Sequence, residues 1–251
     1  MNRSVCAVIP AAGRGTRLGL DVPKIMAEIA DGVTVWHLLH RALRASVDHV
    51  HVVIAPAAET RFHRLAAEEI AGGAVSVSVQ REPTGMGDAV FGASGHWESH
   101  GGILVVWGDQ VNLSGRTVRR VVDAHLRAPG LTIPLVPMPD PYVEYELSGG
   151  RLLRVRQSRE GDACRPGGLG DVGAFCLATG GLAAAWRDYL AAAPRGAMTG
   201  EVNFLPFLTY LSLIRGRDVT AVQVDDPDEA RGINTAADLE FARRRHAERA
   251  G

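Results

Sequence analysis

The sequence predicts an α/β protein built on a doubly wound, mostly parallel sheet, with an antiparallel hairpin lobe inserted into it. Three observations carry that expectation. Short apolar, β-branched runs alternate with helical patterns along nearly the whole chain. A glycine-rich loop follows the first run at once, at the strand end where such a sheet places ligands. The alternation breaks between Pro137 and Asp171, where two strand-like runs flank a Ser-Gly-Gly turn.

In chain order, Val5–Ile9 is wholly apolar and reads as a central strand covered on both faces. Val33–Ala45 has helical periodicity, Val50–Ala55 is the next strand, and Glu59–Ala71 the next helix. Val75–Gln80, Gly87–Trp97, Ile103–Trp107, Arg116–Arg127 and Leu131–Val136 continue the strand–helix rhythm. Tyr142–Leu147 and Arg151–Gln157, joined by Ser148-Gly149-Gly150, form the expected hairpin. Val172–Ala178, Leu182–Ala192, Asn203–Ile214, Val219–Val224 and Thr235–Arg249 complete the pattern. With no internal repeat and no dividing linker, residues 1–251 are expected to form a single domain. One lobe takes residues 1–136 and 215–251, the other residues 137–214.

Composition narrows the function classes. Of the 251 residues 46% are hydrophobic and 22% charged, which suits a substantial core, and the net charge of −1 gives no general attraction to nucleic acid or anionic membrane. No signal-peptide pattern or membrane-length apolar run is present, so a cytoplasmic setting is expected. Cys6 and Cys176 lie in strand-like runs and read as buried thiols. His96 and His100 are four apart, but no H-E-x-x-H pattern accompanies them, so zinc is not expected. No serine elbow or Cys–His pairing points to covalent catalysis.

The chemistry starts at Pro10. Gly13 and Gly15 let backbone N–H groups approach an anion, and Arg17 and Lys24 add the charge that glycine lacks. The spacing through Gly13, Gly15 and Gly19 misses the dinucleotide fingerprint, and Lys24 is too distant for a Walker loop. Asp21-Val22-Pro23 prevents an immediate helix. A long, extended loop of this kind suits a triphosphate. Asp109 follows Ile103–Trp107 after one glycine, so its carboxylate is expected at a strand's carboxyl end, where one acid and one helper suffice for phosphate-bound Mg²⁺. Asn234 precedes the last helix; it or Thr235 could equally cap it.

The stretch PAAGRGTRLGLDVPK resembles the signature loop of the nucleotidyltransferases that make sugar nucleotides, A-A-G-x-G-T-R-L/M, a spacer, then P-K. The chain is similar to the uridylyltransferase domain acting on N-acetylglucosamine 1-phosphate, with further matches near Gln80, Asp109, Arg159, Asp171 and Asn234. The resemblance implies that Ala11, Ala12, Gly13, Gly15 and Thr16 bind nucleotide and that Asp109 and Asn234 hold Mg²⁺. On the same reading Arg17 steadies the departing β- and γ-phosphates, and Lys24 the α-phosphate. It also implies that Gln80, five residues before Gly85, reads a pyrimidine edge. An amide offers both donor and acceptor, so UTP, CTP and dTTP all stay open.

The acceptor side departs from the family. Gln157, Arg159 and Asp171-Val172-Gly173 stand where Glu, Lys and Asn-Thr-Gly are usual, and Glu201 and Asn203 stand near a further acceptor motif. Arg159 suits a phosphate or phosphonate. An ionised Asp171 favours hydroxyl or ammonium groups over an acetamido carbonyl. The resemblance therefore implies transfer of a nucleoside monophosphate to a small phosphorylated acceptor, a sugar 1-phosphate or, with CTP, a phosphonate or phosphorylated alcohol. Arg151, Arg154 and Arg156 are expected to face solvent. A nucleotide-binding regulator without turnover is the rival from another class, disfavoured by intact Arg17, Lys24 and Asp109.

Overall fold

The computed structural model describes residues 2–13, 19–82, 84–193, 196, 198 and 202–250. Gly15, Thr16, Arg17 and Glu201 lie outside the described residues. The chain begins with β1 (Val5–Ala11), a small β2–β3 hairpin (Glu28–Ala30 and Val33–Thr34) and α1 (Val35–Leu43). Next come β4 (His49–Ile54), α2 (Glu59–Leu65), α3 (Ala67–Ala71), β5 (Val75–Val79), α4 (Met86–Gly92) and α5 (Ser94–Trp97). β6 (Gly102–Val106), α6 (Gly115–Arg127) and β7 (Leu131–Pro137) lead into the β8–β9 hairpin (Val143–Ser148 and Arg151–Gln157). β10 (Leu169–Asp171), β11 (Ala174–Ala178), α7 (Leu182–Ala192), α8 (Phe204–Leu213), β12 (Val219–Gln223) and α9 (Ala236–Ala250) finish it.

β1 lies at the sheet's centre, parallel to β4 on one side and β6 on the other, with β5 beyond β4. β11 runs antiparallel between β6 and β7, and β12 adds parallel to β7. The period-2 alternation of β1 sends Val5, Ala7, Ile9 and Ala11 into one core and Cys6 and Val8 into the other. That is why the run carries no polar residue: both faces are covered. Burial drives the Cys6 thiol pKa up to about 12, so it behaves as packing.

The expected hairpin is present. Gly149 and Gly150 both have positive φ, +55° and +72°, as a tight two-residue turn requires. It docks on α8, where the Leu152 amide donates to Ser212 Oγ at 2.9 Å.

Several boundaries differ from the sequence reading. The Glu59–Ala71 helix divides at Ala66, whose backbone (φ −108°, ψ 24°) leaves the helical region. Gly87–Trp97 likewise divides at Ala93. Val172–Ala178 shortens to β11, because Gly173 at φ +69° interrupts the extended run and separates it from β10, which precedes Val172. Val33 and Thr34 pair with β2 instead of starting α1. Arg156 is corrected too: it is not solvent-facing but pairs with Glu146 at 2.8 Å and with buried Glu144 at 3.4 Å.

The Trp186 indole of α7 lies against the backbone of α4, and Gly87 makes that possible. A Cβ there would overlap the Trp186 indole, which is stacked on Phe91 and edge-on to Phe207. Gly87→Ala gains about 1 kcal/mol of helix propensity, but overpacking costs about 1–3 kcal/mol. A lower urea midpoint is expected; a higher one would show that the indole yields.

Two buried histidines make stability pH-dependent. His51 bonds both Ser76 and Ser78 hydroxyls, and burial, then His96 and His49, push its pKa down to about 3. Burial and then Arg217 push His125 down to about 4. Both are neutral in the folded chain, whereas in the unfolded chain they take up protons below about pH 6.5. Stability is therefore expected to fall as pH drops from about 6.5 toward 4, by up to about 1.4 kcal/mol per pH unit for each histidine. Urea titrations across this range should show a shallower dependence for His125→Leu than for the wild type. Identical slopes would remove His125 from the account.

Candidate active site

The site forms at the carboxyl ends of β1, β5 and β6. β1 delivers Ala11, followed by buried Ala12 and exposed Gly13. Beyond the loop, Pro23 is extended and Lys24 opens a single tight turn, closed by the Ala27 amide bonding to Lys24 carbonyl at 2.9 Å. β6 delivers Trp107, Gly108 and Asp109. A Cβ on Gly108 would press on Ala11 Cβ at 3.0 Å, so glycine lets the Asp109 turn lie against β1. The Asp109 carbonyl accepts the Val111 amide at 2.9 Å and the Ile233 amide at 3.0 Å, which clamps segment 231–234 over it.

Those contacts bring three distant residues together. Lys24 Nζ donates to Asp109 Oδ2 at 2.9 Å and to Asn234 Oδ1 at 2.7 Å, spanning 85 and 210 residues of sequence. The Lys24 and Asp109 side chains are 23% and 21% exposed, so water is largely but not wholly excluded. A carboxylate oxygen and an amide oxygen thus converge on one cation. These are hard donors of the type Mg²⁺ takes, and the ammonium marks where positive charge is accommodated. No group of three or more His, Cys, Asp or Glu residues that could hold a metal occurs among the described residues. A metal here would therefore rest on Asp109 and Asn234 together with ligand phosphates.

The alternative capping role falls on Thr235. Its hydroxyl accepts the Asp238 amide at 3.2 Å, while Asp238 Oδ2 accepts from the Asn234 and Thr235 amides at 3.1 and 2.9 Å. Burial opposes ionisation of Asp238, but bonds from Thr235 and Arg231 outweigh it and hold its pKa below the usual carboxylate range. With the cap made by its neighbours, the Asn234 side chain is released toward Lys24.

Two adjoining cavities meet at Asp109. The smaller, about 210 Å³, is bounded by Ala11, Gly13, Lys24 and Gly108. The larger, about 530 Å³, contains Gln157, Arg159, Asp171 and Asn234. Met86, Trp107 and Asp109 border both. Gln80 and Gly85 border neither: Gln80 Nε2 donates to the Gly85 carbonyl at 3.1 Å and braces a loop in which Gly85 has φ +122°. One amide hydrogen of Gln80 is thereby engaged within the loop.

On the acceptor side, Asp171 is held from two directions. Tyr145 Oη donates to Oδ2 at 2.8 Å and the Gly173 amide to Oδ1 at 2.6 Å. Burial raises the Asp171 pKa, against the pull of those bonds, and burial also keeps Tyr145 protonated. Arg159 bonds Asn203 Oδ1, and Asn203 Nδ2 donates to Glu160 at 3.1 Å. Asp225, Asp226 and Asp228 pair with arginines, Asp225 with Arg116 and Arg120, the others with Arg245. Met86, Trp107, Gln110, Tyr142, Asn203 and Phe204 also line the larger cavity; of these the sequence marks only Asn203 as an acceptor-side candidate. Trp107 and Gln110 had one available signal, their place beside Asp109 at a strand's carboxyl end.

This geometry can be compared with known proteins. A profile of the MobA-like NTP transferase domain matches residues 7–199. The chain belongs to the MobA-like NTP transferase family. It is thus a nucleotidyltransferase by family, with the glycine-rich segment after β1, Lys24 and Asp109 inside the matched span. As a MobA-like NTP transferase it is 32% identical over 249 residues to the bifunctional protein GlmU of Ruegeria sp. strain TM1040, covering 95% of this chain and 52% of the relative. GlmU of Clostridium perfringens is 31% identical over 156 residues, covering 62% of this chain and 32% of the relative. The chain therefore spans about half of the length of the first of these relatives and about a third of the second. Its fold is also that of a 4-diphosphocytidyl-2C-methyl-D-erythritol synthase from Anaerococcus prevotii (TM-score 0.67, 16% identity, 97% and 98% of the two chains). A Bacillus anthracis protein assigned as a glucose-1-phosphate thymidylyltransferase shares it (TM-score 0.73, 14% identity, 96% and 94%). No helix among the described residues is long and apolar enough to cross a membrane.

Proposed function

We propose that this MobA-like NTP transferase moves a nucleoside monophosphate from a pyrimidine nucleoside triphosphate to the phosphate or phosphonate of a small acceptor, with Mg²⁺. The observation that carries this is the convergence of Lys24, Asp109 and Asn234 on one cation position, at the junction of the two cavities. The smaller cavity suits the nucleotide phosphates and the larger one the acceptor.

In the proposed reaction an acceptor oxygen attacks the α-phosphorus in line. A new P–O bond forms, the bond to the β-phosphate bridging oxygen breaks, and pyrophosphate leaves with the electron pair. The attacking oxygen is already anionic, so no general base is needed. Catalysis is positioning and charge neutralisation. Asp109 and Asn234 would hold the metal, which supplies Lewis-acid neutralisation of the phosphates. Lys24 then gives up those two oxygens and turns its ammonium to the α-phosphate. Arg17 is assigned to the leaving phosphates from the sequence.

Sugar 1-phosphates are the acceptor class suggested by the GlmU likeness. The second reading, a CTP-dependent transfer to a phosphonate or phosphorylated alcohol, is favoured by Asp171, which has no donor to spare for an acetamido carbonyl. A panel of UTP, CTP and dTTP crossed with phosphorylated acceptors, including N-acetylglucosamine 1-phosphate, tests both by pyrophosphate release. Nucleotide binding without release or pyrophosphate exchange would make the chain a binding protein. Efficient use of N-acetylglucosamine 1-phosphate would sink the Asp171 argument alone.

A further inference from the structure

One residue of the larger cavity carries a buried acceptor that the proposed transfer chemistry does not use. Gln110 is 6% exposed, lines that cavity directly after Asp109, and its carbonyl oxygen has no hydrogen-bond partner. Its neighbours on the cavity floor are differently placed. Asp109 takes a bond from Lys24, and both oxygens of Asp171 take bonds from Tyr145 and Gly173. Gln110 is thus the cavity-lining residue with a buried acceptor and no donor among the described residues.

Its placement is built into the backbone. The amide lies against Gly173, where a Cβ would overlap Gln110 Cγ and Nε2, and Gly173 itself has φ +69°. The Trp107 amide bonds the Gly173 carbonyl at 2.8 Å, which fixes the two segments side by side. A buried polar atom left without a partner is destabilising, and such atoms call for an explanation in a ligand, ion or water.

We propose that Gln110 selects the acceptor: with its terminal amide turned so that the carbonyl oxygen faces the cavity, that oxygen accepts a hydrogen bond from an O–H or N–H of the phosphorylated acceptor. The proposal rests on the nucleotidyltransferase reading and adds to it the requirement that the acceptor carry a hydrogen-bond donor. A site that offers a buried acceptor rejects analogues without a donor, because the oxygen then stays unpaired.

The test compares wild type with Gln110→Met, which keeps the side chain's length and removes its polar atoms. Glucose 1-phosphate supplies hydroxyl donors, ethanolamine phosphate an ammonium donor, and choline phosphate a nitrogen with no N–H. The thermal midpoint should hold or rise in Gln110→Met, since an unpaired acceptor is removed. For whichever donor-bearing probe the wild type prefers, kcat/KM should fall at least about tenfold, with the nucleotide KM within about twofold and choline phosphate unaffected. The preferred probe also distinguishes hydroxyl from ammonium recognition. A lower midpoint with equal losses toward nucleotide and acceptor would make Gln110 a structural residue and overturn the proposal. So would unchanged discrimination, or a wild type that binds neither donor-bearing probe better than choline phosphate. If the wild type releases no pyrophosphate with any nucleotide, the transferase reading fails by itself. Calorimetric affinities of the same probes then decide Gln110: a tenfold difference between wild type and variant supports it, and equal affinities overturn it.

Discussion

Asp109→Asn is expected to lower kcat by on the order of 10²–10³ while the chain stays folded. Removing a preorganised charge from such a site typically costs this much. The substitution is nearly isosteric, and the contacts that hold this turn use the Asp109 backbone carbonyl, which the Val111 and Ile233 amides bond in either variant. What disappears is the formal negative charge that pairs with Lys24 and would face a metal. Pyrophosphate release at saturating Mg²⁺, beside a urea titration, separates the two effects. Wild-type turnover in the variant would end the metal assignment.

Lys24→Met should act with opposite sign on two measurements. Turnover should fall by about 2–4 kcal/mol of transition-state stabilisation, roughly 30- to 1000-fold in kcat/KM. Affinity for Mn²⁺ alone, titrated without nucleotide, should rise, because Lys24 Nζ no longer occupies Asp109 Oδ2 and Asn234 Oδ1. Stability should change little, since both carboxylate and ammonium retain access to water and exposed pairs contribute about 0–1 kcal/mol. More than about a tenth of wild-type kcat/KM, a loss under roughly 1.4 kcal/mol, would mean Lys24 is not a phosphate clamp. Unchanged Mn²⁺ affinity would mean the ammonium does not compete for that position.

The candidate site was legible where residue type itself carries the chemistry. Lys24 after a glycine loop, Asp109 after an apolar run and Asn234 before a helix are each recognisable locally, and the structure brings all three together. Gln110 was marked only by its place beside Asp109. A glutamine after an aspartate looks like any turn residue until Gly173 is seen to make room for it. Gln80 was legible as a residue but not in its engagement, since its bond to Gly85 depends on how the loop closes. Arg156 reads as an exposed hairpin charge in a pattern of alternating arginines; only the hairpin's register sets it opposite Glu144.

By itself, the sequence determined the layered α/β architecture, because a strand apolar at every position, such as Val5–Ile9, needs cover on both faces. It also determined the hairpin turn at Gly149-Gly150, since backbone freedom is a local property. Only the tertiary structure decided which cation meets which oxygen. That depends on β1 lying between β4 and β6 and on segment 231–234 folding back over Asp109. The bonds concerned span 85 and 210 residues and are set by sheet register and close backbone packing, which no local pattern encodes.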